Sequence, residues 1–261
     1  MKIIKFVRRL TISSSIAALL ILTICCAKSP DPTPAPTISV TGLLAQADQL
    51  YAGRESFDRA REAVAVLRRA RTIDYSNYET EWKLAKFNYY LGTYGTDEAA
   101  RSEAFRDGAA AGEAAVKIEP NKPEGHFWLG ANYGGRAQLE GALTGLSSVE
   151  DIRREMETVI KLDEGFQAGS AYMALGQLDL ELPSMLGGDS KRAVEELEKG
   201  LRFGDQNMLL RLHLAEAYLS TRQREKAREQ LNFVLKMKPD PDYLPEQQAA
   251  LTKARQLLEK L

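Results

Sequence analysis

The feature that most constrains the fold is the spacing of apolar and small side chains in residues 208–241. The positions that carry this spacing are Leu214, Ala215, Tyr218, Ala227, Leu231 and Val234. The first three lie three or four residues apart and would share one face of a helix, and the last three would share one face of a second helix. Pro239 ends the second helix, because its ring cannot continue an α-helix. One such helix pair cannot bury its own apolar faces, so the sequence predicts stacked copies.

The spacing resembles that of a tetratricopeptide (TPR) unit, a 34-residue helix hairpin that stacks into an α-solenoid. Related sequence motifs mark the ends of earlier second helices at residues 72–77, 117–124, 161–167 and 202–207. The inner units are longer than the repeat, and we assign insertions to residues 139–148 and 183–189. We predict an all-α fold, a TPR-like α-solenoid of about five helix hairpins over residues 41–261, with a C-terminal capping helix from residue 245.

The N-terminal residues 1–26 have the pattern of an export signal. Four basic residues precede an apolar stretch that ends beside Cys25 and Cys26, which is typical of bacterial lipoprotein precursors. We predict lipidation at Cys26, which follows a small residue, with Cys25 as the alternative. A membrane-spanning helix and a cut after Ala27, which would release a soluble protein, are the other interpretations. Residues 27–40 are rich in proline and predict a semi-rigid tether.

Composition excludes several classes of function. Without the four basic residues of the predicted signal, 31 basic residues face 36 acidic ones, a net charge of about −5, so we expect no nucleic-acid partner. Both cysteines lie in the first 26 residues and the chain has only His126 and His213, so we expect no metal and no cofactor. No GxSxG motif is present, and we expect no enzymatic activity. The LGGDSK segment at residues 186–191 predicts a turn and a helix cap.

The first helices of a TPR array line its concave side, and several of their predicted groove positions are aromatic here. Exposed aromatic side chains are typical of a binding site for a peptide, a partner or an apolar ligand. The alternative is that the insertions cover these rings and make them ordinary core. His126 either contacts a ligand or is a buried, hydrogen-bonded side chain. Arg153 either contacts an anionic ligand or lies on a solvated helix face. The candidate binding residues are Trp82, Lys86, Tyr89, Tyr90, Glu124, His126, Phe127, Asn132, Arg153, Met173 and Gln177.

Longer phrases carry a family resemblance. Residues 121–135, NKPEGHFWLGANYGG, and 161–176, KLDEGFQAGSAYMALG, together with the LGGDSK loop and the lipoprotein signal, resemble the TatT family. These are T-component lipoproteins associated with tripartite ATP-independent periplasmic (TRAP) transporters. The resemblance implies a lipid-anchored protein of the inner or outer membrane that faces the periplasm. It also implies binding of the periplasmic solute-binding protein, a small organic or apolar ligand, and a homo-trimer. A TPR scaffold in cell-envelope assembly is the alternative.

Overall fold

The computed structural model describes residues 39–240 and 243–261, and helices account for the regular structure in these ranges. The predicted signal, the lipidated cysteine and the tether up to residue 38 lie outside the described residues. The described α-helices are α1 Val40–Ala52, α2 Phe57–Ile73, α3 Tyr78–Tyr94, α4 Glu98–Ile118, α5 Pro123–Glu140, α6 Ala142–Leu162, α7 Phe166–Glu181, α8 Ser190–Leu201, α9 Met208–Ser220, α10 Arg224–Lys236 and α11 Leu244–Leu258.

The helices pack as five consecutive hairpins, from α1 with α2 to α9 with α10, and α11 packs against α9 and α10. Each second helix also contacts the first helix of the next pair. The first helices α1, α3, α5, α7 and α9 touch one another in turn and form a continuous layer. The predicted TPR-like α-solenoid with a final helix after the fifth pair is therefore confirmed, and the layer of first helices is the one that lines the concave face in a TPR array.

Short polar side chains explain where five of the described helices begin. The Asn77 and Asn207 side-chain oxygens accept hydrogen bonds from the third backbone N–H of α3 and α9, and Asp97 does the same for α4. Ser39 caps α1, which therefore begins inside the segment predicted as tether. Such caps satisfy backbone donors that have no partner within the helix. Asp189 caps α8 in the same way after a turn at Gly187, as the LGGDSK phrase predicts.

Two local features differ from the expectation. The insertion predicted at residues 139–148 is not a loop, because α5 extends to Glu140 and α6 begins at Ala142, with only Gly141 (φ 84°) between them. The extra residues lengthen both helices. The start of α7 is also irregular, since Gln167, Ala168 and Gly169 have positive φ. At Gly169 a Cβ atom would lie 2.5 Å from the Gly200 carbonyl oxygen, so glycine permits this close approach of α7 and α8.

The described residues contain two separate clusters of buried apolar side chains. The larger one combines aliphatic and aromatic side chains of α1 to α7, and the smaller one is formed mainly by leucine, alanine and valine of α8 to α11. Within the described part of the chain, no helix is both long enough and apolar enough to cross a membrane. The same part contains no group of three His, Cys, Asp or Glu side chains placed to bind a metal ion.

Candidate functional site

Helix α3 presents Trp82, Lys86 and Tyr89 on one partly exposed stripe, at the i, i+4, i+7 spacing of a helix face. The Lys86 side chain lies between helices, with Nζ 5.4 Å from the centroid of the Tyr51 ring on α1 and 5.7 Å from that of the Trp128 ring on α5. These distances fall within the range of cation–π attraction. The stripe therefore lies on the layer of first helices, and Lys86 links α3 to both α1 and α5.

Next to this stripe, and sharing Tyr89 with it, lies a group of aromatic side chains that we call the ring cluster. It consists of Tyr51, Phe87, Tyr89, Tyr90, Tyr94 and Trp128. The rings of Tyr51 and Phe87 stack with centroids 3.8 Å apart, and Tyr89 meets Trp128 at 5.7 Å. Burial raises the pKa of Tyr51 well above its ordinary value, so this phenol stays neutral. The cluster fixes the geometry of the concave face through ring contacts between α1, α3 and α5.

A second cation, Arg54, lies in the turn between α1 and α2 and is 6% exposed. Its guanidinium carbon is 4.9 Å from the Tyr51 ring centroid and 5.6 Å from that of Tyr90, and the Tyr90 hydroxyl donates to the Arg54 carbonyl oxygen at 3.0 Å. Burial and then the positive charge of Arg54 lower the pKa of Lys86. Two cations thus share one aromatic environment at this edge of the first two hairpins.

The carboxylate that meets Arg54 comes from the last helix. Glu246 in the first turn of α11 accepts a hydrogen bond from the Arg54 guanidinium, with Nη2 and Oε1 3.5 Å apart. No sequence pattern points to Arg54 or Glu246 as functional candidates. They are 192 residues apart, and neither belongs to a motif that signals the contact.

Trp128 adds an unused hydrogen-bond donor. Its ring packs edge to face on Phe127, with centroids 5.0 Å apart. Its indole nitrogen Nε1 is buried and has no hydrogen-bond partner among the described residues. A buried polar atom without a partner carries a free-energy cost.

Three candidates predicted to line an open groove are buried instead. Tyr90 uses its hydroxyl on Arg54, and Phe127 packs against Trp128 and Phe166. Asn132 is 0% exposed and donates to the Ala85 and Trp128 carbonyl oxygens, 3.0 and 2.7 Å away. The repeat phase alone does not separate these positions from neighbours such as Tyr89, because both sides of α3 and α5 contact other helices.

His126 takes the buried, hydrogen-bonded arrangement. Its Nδ1 lies 2.6 Å from Glu155 Oε2 and its Nε2 lies 2.9 Å from the Pro120 carbonyl oxygen. The hydrogen bond with Glu155 raises the pKa of His126, against the effect of burial. With the ring protonated, both nitrogens donate. Glu124, which is half-buried nearby, accepts a hydrogen bond from the Tyr78 hydroxyl at 2.9 Å.

The remaining candidates have partners within the chain. Arg153 pairs with Asp179 at 2.8 Å, so it does not present its charge to a bound anion as one interpretation proposed. Asp179 has no exposed side-chain surface and also pairs with Arg192. On α7, Met173 packs against the C-terminal apolar cluster and Gln177 donates to Glu181 at 2.8 Å. The structure thus brings Trp82, Lys86 and Tyr89 together and leaves Met173 and Gln177 outside the ring cluster.

Comparison with known proteins agrees with this fold. A family model described as "Regulator of microtubule dynamics protein 1-3" matches residues 43–185, which is more than half of the chain. The crystal structure of TTC0263, a thermophilic TPR protein from Thermus thermophilus, matches with a TM-score of 0.61 and 21% identity, and the match covers 82% of this chain and 100% of that one. The crystal structure of YrrB, described as a TPR protein with an unusual peptide-binding site, matches with a TM-score of 0.47 and 14% identity over 85% of this chain and 93% of that one. No curated protein matches significantly.

Proposed function

Because the chain belongs to the regulator of microtubule dynamics protein 1-3 family and has a TPR-like fold, we propose that it is a non-enzymatic interaction protein. It binds a segment of a partner protein on the concave face of α1, α3 and α5. The observation that carries this proposal is the partly exposed stripe of Trp82, Lys86 and Tyr89, next to the ring cluster. The family description does not identify the partner.

The chemistry of this face suits a protein segment. Aromatic rings supply a large contact area with little loss of side-chain freedom, and they dominate the free energy of many interfaces. Lys86 adds a positive charge that the surrounding rings hold in place. A described recess of about 70 Å³ lies elsewhere, beside Phe57 and Leu91. An open face is better matched to an extended or helical segment than to an enclosed small molecule.

In its specific form, the proposal is that the protein is a lipid-anchored accessory component of a TRAP-type transporter and binds the periplasmic solute-binding protein. The support comes from the sequence: the signal pattern in residues 1–26, the proline-rich tether, and the TatT-like phrases at residues 121–135 and 161–176. A small organic ligand and a homo-trimer belong to the same resemblance and to the same proposal. In this arrangement the anchor, through Cys26 or Cys25, would hold the helical repeats at the membrane surface.

The experiment is affinity capture of the full-length protein, extracted from the membranes of its own cells after mild cross-linking, with mass spectrometry of the proteins retained after a salt wash. Enrichment of a solute-binding protein with transporter subunits, relative to a capture from cells that lack the protein, is the expected result. Enrichment of envelope-assembly factors instead would replace the specific form with a scaffold function. Absence of any enriched protein would contradict the interaction function itself.

A further inference from the structure

The contact between Arg54 and Glu246 joins the first turn of the array to its last helix, at the edge of the proposed binding face. Arg54 is buried, the Glu246 side chain is 18% exposed, and the negative charge of Glu246 acts on Tyr51, Tyr90, Tyr94 and Lys86. The carboxylate therefore contacts Arg54, whose guanidinium lies over the rings of Tyr51 and Tyr90. A guanidinium surrounded by aromatic rings is an environment that binds anionic groups such as carboxylates.

We propose that Arg54, Lys86 and the adjacent tyrosine rings form a carboxylate-binding pocket, which Glu246 occupies within the isolated chain and which an acidic side chain of a partner segment takes over on binding. This inference deepens the proposed function, because it names the chemistry of the partner segment. An acidic residue next to apolar ones would place its carboxylate on Arg54 and its apolar neighbours on Trp82 and Tyr89.

The Arg54 guanidinium is held in position by contacts that do not depend on a carboxylate. The rings of Tyr51 and Tyr90 hold it on two sides, and the hydrogen bond from the Tyr90 hydroxyl fixes the backbone at Arg54. A guanidinium held this way loses little further freedom when it binds a carboxylate. Lys86 forms no ion pair among the described residues, since the neighbouring Lys83 takes the carboxylates of Asp48 and Glu79 at 2.6 Å each. Lys86 therefore adds a second positive charge on the Tyr51 ring, beside the pair of Arg54 and Glu246.

The geometry also marks Glu246 as a replaceable ligand. Its oxygen lies 3.5 Å from the guanidinium, whereas the Arg153 pair with Asp179 measures 2.8 Å, and charge-assisted bonds at full strength are about 2.7–2.9 Å long. Several residues of the later turns pack α11 on the C-terminal apolar cluster, and among them Ala250 and Ala254, one and two turns after Glu246, are buried. Release of Glu246 therefore requires movement of the first turn only, while the later turns stay in place.

The test uses the chain's own segment as the probe. A fluorescent peptide of residues 243–250, with both ends blocked, is titrated against the full chain and against its Glu246→Gln variant. We expect the variant to bind the peptide at least about tenfold more tightly, because an intramolecular competitor acts at an effective concentration in the millimolar range. A peptide with glutamine at position 246 should not gain this affinity, and adding Arg54→Gln to the variant should remove it.

A matched control is Glu259→Gln, the same change at an exposed position at the other end of α11, which should bind the peptide as the wild type does. Circular dichroism melting of each variant checks the fold, and Glu246→Ala repeats the test with a second side chain. Equal affinity of the wild type and both Glu246 variants, no difference between the two peptides, or no binding at all would overturn the proposal. Because the probe comes from this chain, these outcomes are independent of whether partner capture succeeds.

Discussion

The two halves of the helical array bury different kinds of side chain. In α1 to α7 the buried set includes rings and charged or polar groups, among them Glu81, Lys83, His126 and Glu155. In α8 to α11 the core is formed mainly by leucine, alanine and valine, and the buried polar residues on its helices are Arg211 and Gln230, which pair with each other at 2.6 Å. Residues 43–185, which the family model matches, cover the first kind of core.

The difference between the two cores indicates that the two halves of the array have different roles. An aliphatic core is the simplest way to stabilise stacked hairpins, because burial of apolar area needs no exact pairing. Buried charges require desolvation that their pairing only partly offsets, so they are poor evidence of optimised stability. We therefore infer that the C-terminal half mainly supports the array, and that the N-terminal half carries the binding face.

The largest expected effect is at Asp179, whose carboxylate has no exposed surface and pairs with Arg153 and Arg192. Asp179→Ala removes the carboxylate that both guanidinium groups share, and breaking a buried pair in this way costs about 3–5 kcal/mol of unfolding free energy. Urea denaturation measures the change. Glu195→Ala, an exposed change on α8, should stay within about 0.5 kcal/mol. A loss below about 1 kcal/mol at Asp179 would show that these pairs do not stabilise the junction of α6, α7 and α8.

The next prediction compares the two cores directly. Phe127→Ala should lower the unfolding free energy by about 3–5 kcal/mol and Leu214→Ala by about 2–5 kcal/mol, since both remove buried side chains and leave cavities. Phe127 therefore supports the fold and does not line an open groove. If calorimetry finds only a small loss for Phe127, its ring is not part of the core and the comparison of the two halves fails.

The pair of His126 and Glu155 predicts a pH dependence. The hydrogen bond with Glu155 raises the pKa of His126, so its contribution to stability is complete below the ordinary value of 6.5 and is lost as the pH rises through the raised value. Burial raises the pKa of Glu155, but hydrogen bonds from His126 and Arg154 outweigh this and lower it overall. Its contribution is present above 4.5 and is lost as the pH falls through the lowered value.

The stability difference between the wild type and His126→Gln should therefore be largest between about pH 4.5 and 6.5 and should shrink at higher pH. Thermal unfolding across pH 4 to 9 measures it, with Glu157→Gln on the exposed side of α6 as a control. A difference that does not change with pH would mean that the pair does not gain a proton on folding.

The smallest expected effect on stability is at Trp82, which is partly exposed. Trp82→Ala should lower the unfolding free energy by less than about 2 kcal/mol, because part of its apolar area still meets water in the folded chain and only the rest packs against the core. Chemical denaturation measures this. A loss as large as that of Phe127→Ala would place Trp82 in the core and remove it from the binding face.

The fold was predictable from the sequence because its signals are local. The spacing of Leu214, Ala215 and Tyr218 and the capping residues at helix starts act within one hairpin, and the hairpin repeats. The site was predictable only in part. Trp82, Lys86 and Tyr89 share the partly exposed stripe, but Tyr90 and Phe127 turn into the core, because neighbouring positions of a helix with contacts on several sides differ in burial. Arg54 meets Glu246 through the stacking of the whole array, which no single repeat encodes.

The most direct test of the account is quantitative capture of the partner on three forms of the full chain, namely the wild type, Trp82→Ala with Lys86→Met, and His213→Gln. His213 lies on the first helix of the last pair and serves as the control in the C-terminal half. We predict that the double variant retains at most about a tenth of the partner, as expected when a central aromatic anchor contributes about 1.4 kcal/mol or more, while His213→Gln retains it fully. Equal retention by the double variant, or loss on His213→Gln alone, would contradict the assignment of binding to the N-terminal half.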